Sequence, residues 1–282
     1  MDLRPMGPED LPRAADYLDA RTLVLRWLVA FLRHRDLLPE EESSSWSFWC
    51  GEELDESQPG GGGELSCVLA HFFPSGTLYV GGGPRPDFDA LEILCDENLL
   101  PERIVGDLDL MEGWRAASPL LFAKAVRVSE TEVLEFRGAG AVPGGFRVAG
   151  PDDLLILRAY EDLLRRELGE EVGTDVESLL EAGLLHVYEE DGRVRGMIRS
   201  NLSDGKYVHA GGVFVHPLYR GKGVGRILAA GLGAWVRGKD GATVILDVYR
   251  ENLRALAAYE AAGYVLVGSG LTAWFPEGTW GG

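Results

Sequence analysis

The stretch Val213-Phe-Val-His-Pro-Leu-Tyr-Arg-Gly-Lys-Gly-Val-Gly-Arg-Ile-Leu228 decides how the rest of the chain is read. Val213, Phe214 and Val215 are β-branched or aromatic and predict a strand. Pro217 ends it, because it has no N–H to give to a ladder. Gly221, Gly223 and Gly225 alternate through a turn, and the apolar positions Ile227, Leu228, Leu232 and Trp235 continue as a helix. A glycine turn lets a ligand approach the backbone closely. The N–H groups of Val224 and its neighbours, unpaired at a helix start, favour an anion, above all a phosphate. Arg220, Lys222 and Arg226 add positive charge there, in a chain whose formal net charge is -18.

The spacing separates this turn from two other nucleotide loops. The dinucleotide fingerprint needs G-x-G-x-x-G, and the phosphate loop of nucleotide hydrolases needs four residues between its glycines followed by Gly-Lys-Ser/Thr. Here the pattern is G-x-G-x-G with basic flanks. The segment resembles the acyl-CoA motif of the GNAT superfamily of N-acetyltransferases, V-x-P-x-x-R-G-x-G-x-G/A, through Val215, Pro217, Arg220, Gly221, Gly223 and Gly225. A second stretch, Asn252, Tyr259, Gly263 and Tyr264, resembles that family's N-x(6)-Y-x(3)-G-F/Y ending. The resemblance covers residues 146–275. It implies an α+β fold of mixed, mostly antiparallel sheet flanked by helices, with acetyl-CoA as co-substrate.

Composition narrows the rest. At 282 residues the chain has room for two domains. A hydrophobic content of 46% supports packed cores. The acidic balance argues against nucleic acid, which needs a basic footprint, and suits a cationic amine, small-molecule or peptide. Three cysteines, Cys50, Cys67 and Cys95, follow no metal spacing and fit a reduced cytoplasmic compartment. The apolar run 23–32 contains Arg26 and is too short to span a bilayer. No signal or metal motif is read, and a homodimer is allowed.

Along the chain, helices in 8–32 precede strands at 47–50, 65–73 and 77–80, a helix at 87–94, a strand at 103–110 and a strand pair at 123–136. The small-residue run 138–145 reads as a linker, which divides the chain into 1–139 and 140–282. The second part starts again with a strand at 146–149, helices to 167 and at 176–182, and strands at 184–188 and 194–201. The strand at 207–215 follows, then the long helix, a strand at 243–249, a helix at 252–262 and two closing strands, 264–267 and 271–275. The first part has a similar order, but Gly81-Gly-Gly-Pro-Arg-Pro86 lacks the motif. Its prolines also remove N–H donors where a phosphate needs them. It reads as a degenerate GNAT-like domain of unassigned function, with an unrelated α+β domain as the rival.

For the chemistry, the resemblance implies that backbone groups of Phe214 and Val215 pair with the pantetheine arm. It also implies that Tyr259 protonates the departing thiolate, as a phenol neutral at pH 7 is able to do. The rival reading buries its ring in the core. Asn252 caps its helix, contacts the pantetheine, or both. The family often places a glutamate base on the strand before the glycine turn. Here His209 stands there, sharing a face with Tyr207 and Gly211, and an ordinary structural histidine is the rival. Asp247 is a second candidate base, and His216 reads as structural. Two other functions stay open: a non-catalytic sensor of CoA or acyl-CoA, and transfer of a longer or aminoacyl group.

Overall fold

The computed structural model describes residues 2–34, 45–53, 64–83, 86–169 and 174–280. Residues 84 and 85 of the Gly81–Pro86 stretch lie outside the described residues. The chain divides into two units, Met1–Thr131 with Gly268–Gly282, and Glu132–Val267.

The first unit runs β1 (Asp2–Pro5), α1 (Leu11–Asp19), α2 (Arg26–His34), β2 (Trp46–Glu53), β3 (Glu64–Phe72) and β4 (Thr77–Gly82). Then come α3 (Phe88–Leu94), β5 (Arg103–Asp107), α4 (Leu108–Ala117), α5 (Pro119–Phe122) and the start of β6 (Arg127–Phe136). Strands β1 to β4 are antiparallel neighbours in sequence order. β5 lies parallel to β4, with Thr77 opposite Arg103 and Val80 opposite Gly106. Trp114, Met111, Leu69, Leu78 and Ile104 fill the core.

The second unit continues with β7 (Phe146–Val148), α6 (Leu154–Leu168), α7 (Val176–Glu181), β8 (Leu185–Glu190), β9 (Arg193–Ser203) and β10 (Tyr207–Val215). It ends with α8 (Val224–Asp240), β11 (Thr243–Tyr249), α9 (Leu253–Ala262) and the start of β12 (Tyr264–Trp274). Its strands follow the order β6-β11-β10-β9-β8-β7, mostly antiparallel, with β10 and β11 parallel. The β8–β9 hairpin turns at Asp191 and Gly192, with φ of 52° and 69°, as Asp-Gly predicts. In α6, Leu157, Tyr160 and Leu164 recur at helical spacing and are buried.

The segment 138–145 is irregular and lies within the second compact unit, which begins at Glu132. Two expectations about connectivity are corrected. The strand pair expected at 123–136 is the single strand β6. The two closing strands are one, β12, whose end pairs with β5 in the first unit, Gly270 opposite Asp107 and Trp274 opposite Arg103. Residues 268–270, expected to separate the two strands, lie within β12. Gly270 is a close approach: a Cβ there would meet Val24 and the Gly106 carbonyl.

Glycines also set the packing of α8. A Cβ on Gly231 would collide with the Phe146 ring, and one on Gly233 with the Phe136 ring. Gly231→Ala and Gly233→Ala are each expected to destabilise the second unit by about 1–3 kcal/mol, the usual cost of overpacking, despite the higher helix propensity of alanine. Urea unfolding checks this, and unchanged midpoints would contradict it.

His186 on β8 is fully buried, and among the described residues neither ring nitrogen makes a hydrogen bond. Its ring stacks on Phe146 at 5.5 Å and meets Trp235 edge-on at 4.7 Å. Burial pushes it down to about 4. The unfolded chain therefore takes up this proton below its ordinary value near 6.5, while the folded chain does not until near 4. Stability from this group is complete above pH 6.5 and is lost as pH falls toward 4, by roughly 3 kcal/mol. Urea unfolding at pH 7 and 4.5 is expected to show a shallower loss of stability in His186→Phe. Equal losses in variant and parent would contradict the assignment.

Candidate active site

The site is built on the carboxyl end of β10. The parallel register of β10 with β11 runs from Tyr207–Thr243 to Ala210–Leu246. Beyond it β10 continues to Val215 while paired only with β9, Phe214 opposite Met197 and Val215 opposite Gly196. A register shift falls between Gly211 and Phe214, where Gly212 has φ 55°. A bulge of this kind bends a strand away from its neighbour. The edge of Phe214 and Val215 that faces β11 has no strand partner among the described residues, although the Val215 carbonyl accepts from Arg220. The Phe214 ring itself is buried against Tyr160, at 5.0 Å.

After β10, Pro217–Tyr219 forms a 3-10 turn capped by His216, whose Nδ1 accepts the Leu218 N–H at 3.3 Å. His216 is thus structural, as expected. Gly221 and Gly223 have φ of 72° and 80°, the left-handed region that glycine occupies without strain. A Cβ on either would meet nothing within 4 Å, so the space in front of the turn is open. Gly223 is the N-cap of α8 and offers no side chain to the first amides, starting at Val224. Gly225 lies just inside the helix, close to Val215 and Ala258.

The cations divide. Arg220 is committed: its Nε donates to the Val215 carbonyl at 3.0 Å, and its Nη2 to both Glu167 oxygens at 2.6 and 2.9 Å. It braces the turn against α6. Lys222 and Arg226 are exposed, with Lys222 5.6 Å from the Tyr219 ring centre. An open helix start, two left-handed glycines and two exposed cations fit a diphosphate.

The first unit shows the contrast. At the end of β4 the Gly83 N–H is spent on the Ser66 carbonyl at 3.2 Å and the Tyr17 hydroxyl at 3.1 Å. A Cβ on Gly81 would collide with Leu18, so that glycine serves packing. The next helix, α3, is capped by Asp87, whose carboxylate accepts the Ala90 N–H at 3.0 Å. A carboxylate already occupies the place an anion would take.

Asn252 caps α9, its Oδ1 accepting the Ala255 N–H at 3.2 Å. One helical face further on, Tyr259 is 7% exposed and packs with Leu256 and Tyr264 in the unit's core. Among the described residues its hydroxyl has no hydrogen-bond partner. Burial, and then the charge of Asp247, push its phenol up, so it holds its proton at neutral pH. The ring is therefore a core residue and its hydroxyl a proton donor without a protein acceptor.

His209 on β10 joins two neighbours that sequence spacing did not bring together. Its Nε2 lies 2.5 Å from Asp247 Oδ1 on β11, and its Nδ1 lies 2.9 Å from Asn201 Nδ2 on β9. The two expected base candidates thus form one pair. Asn201 was not singled out from the sequence. Its one signal was its place two residues before the Ser203-Asp-Gly205 turn, which sets it across from the His209 strand. No group of metal-ligating side chains is found among the described residues.

Comparison with known proteins agrees with this geometry. The model of the acetyltransferase (GNAT) family matches residues 156–264. No curated protein matches the chain. A GNAT-family acetyltransferase from Colwellia psychrerythraea aligns over 98% of this chain and 100% of its own, at 14% identity and a TM-score of 0.59. A GCN5-related N-acetyltransferase from Sphaerobacter thermophilus aligns over 96% and 94%, at 16% and 0.60. A tandem GNAT protein from the clavulanic acid biosynthesis pathway aligns over 97% and 98%, at 14% and 0.57. These likenesses are of fold. Residues 156–264 accordingly belong to the GNAT family of acetyltransferases, in a chain whose fold is similar to that of a tandem GNAT protein.

Proposed function

We propose that the second unit transfers an acetyl group from acetyl-CoA to a primary amine of a small molecule or peptide, by direct attack of the amine. The observation that carries this reading is the uncapped start of α8 behind two left-handed glycines, beside a strand edge without a strand partner among the described residues. Acetyl-CoA, when bound, supplies an activated acyl thioester. The amides from Gly221 to Arg226 hold its diphosphate, with Lys222 and Arg226 adding charge, and Arg220 holds the turn in shape. The backbone of Phe214 and Val215 takes the pantetheine arm, while Asn252 keeps α9 capped.

The amine nitrogen forms the new C–N bond as the C–S bond breaks. The His209–Asp247 pair removes the ammonium proton before attack. Tyr259 gives its phenolic proton to the departing sulfur and recovers one from the nitrogen, so a single proton is released per turnover. An acceptor that is cationic suits the acidic chain. Three free, buried thiols suit the cytoplasm, and no helix among the described residues is long and apolar enough to cross a membrane.

A panel of primary amines is to be assayed with acetyl-CoA and longer acyl-CoAs by release of free thiol. Amine-dependent release, fastest with acetyl-CoA, is expected. Tight CoA binding with no release for any amine would favour a sensor, and preference for a longer chain would shift the donor.

A further inference from the structure

We infer that Asn201 locks His209 as the neutral Nε2–H tautomer, making His209 a positioning residue for Asp247, whose carboxylate receives the proton. The tautomer assignment stands on geometry alone; the proton-acceptor role rests on the acyltransferase reading above.

A carboxylate only accepts hydrogen bonds. At 2.5 Å from Asp247 Oδ1, the Nε2 of His209 must therefore carry a hydrogen. In a neutral ring Nδ1 then holds the lone pair. A neighbour 2.9 Å away can face that lone pair only with a donor, which is the NH2 end of Asn201. An acceptor there would instead favour the imidazolium.

Both ring nitrogens are consequently engaged, one as donor and one as acceptor, and His209 has no lone pair left for an incoming amine. Exposure points the same way. The His209 side chain is 14% exposed and that of Asp247 45%. An arriving ammonium meets the carboxylate first. The proton passes from the ammonium nitrogen to an Asp247 oxygen, the N–H bond breaking as the O–H bond forms, and the His209 Nε2–H steadies the carboxylate beforehand. Burial, and then the charge of this carboxylate, hold the proton on Tyr259 before the reaction begins. The acceptor class follows: an amine that enters protonated and pairs with a single carboxylate.

The test is the ring-nitrogen spectrum of the 15N-labelled full chain at pH 7, with His209 identified by the signals lost in His209→Gln. The expected pattern is an unprotonated Nδ1 and a protonated Nε2. Asn201→Asp, which replaces the donor by an acceptor of the same shape, is expected to convert the ring to the doubly protonated form. A parent ring that is doubly protonated or carries its hydrogen on Nδ1 would overturn the inference, as would a variant ring identical to the parent. This readout decides the matter with or without turnover. Where thiol release is measurable, Asp247→Asn is expected to lower kcat/KM about 10²-fold and Asn201→Leu to lower kcat about tenfold with KM within about twofold. A larger loss in His209→Gln than in Asp247→Asn would return the proton-acceptor role to the histidine. Absence of transfer by the parent would count against the acyltransferase reading and leave the tautomer result standing.

Discussion

Gly223→Asp is expected to weaken coenzyme A binding at least about a hundredfold while the second unit stays folded. Asp87 caps α3 and Asp175 caps α7 from extended backbone, each at φ -73°. Gly223 is at φ 80°, so an aspartate there carries about 1–3 kcal/mol of backbone strain, which a folded domain tolerates. It also sets a negative charge where the diphosphate would lie. Two like charges 4 Å apart near a protein surface repel by about 4 kcal/mol, more than the 2.7 kcal/mol or so of a hundredfold change. Gly223→Ala carries the backbone strain without the charge and is expected to fall between. Calorimetry checks the series. Equal affinity in parent and Gly223→Asp would show that the amides of this turn do not hold the phosphates.

The second large effect belongs to Tyr259. Tyr259→Phe removes one hydroxyl and keeps the ring that packs with Leu256 and Tyr264. The hydroxyl has no protein partner among the described residues, so its loss leaves no buried group stranded. Stability is expected to change little. Turnover is different, because a thiolate leaving without a proton donor is slower. We expect kcat to fall about 10²- to 10⁴-fold, with CoA affinity within about twofold of the parent. Single-turnover kinetics with a fixed amine measures it. An unchanged kcat would remove Tyr259 as the acid and leave it a core tyrosine.

How much of this was legible beforehand follows from the range of the forces involved. The glycine turn, its flanking strand and its helix are set by neighbours within one stretch, and 213–228 was read correctly as strand, turn and helix. The hairpin at Asp191-Gly192 is local in the same sense. The route of β12 was not legible, because Gly270 looks the same in sequence whether it forms a turn or admits Val24 against the backbone. Flexible composition at 138–145 says that a segment lacks bulk, not that it separates two cores. The pairing of His209 with Asp247 joins residues 38 apart in sequence, and that with Asn201 joins residues 8 apart. Strand register brings them together, and spacing in the sequence does not reveal a register. In the first unit the prolines near Gly83 hinted at a missing cradle. The capping carboxylate of Asp87 gives the stronger physical reason.

The central claim is that amides between Arg220 and Arg226 grip a diphosphate. An amide-resolved NMR titration of the full chain with coenzyme A tests it most directly. The account predicts that the largest shifts fall on Gly221, Gly223, Val224 and Gly225, with a second group at Phe214 and Val215. Shifts concentrated between Gly81 and Leu94, or none anywhere, would contradict it.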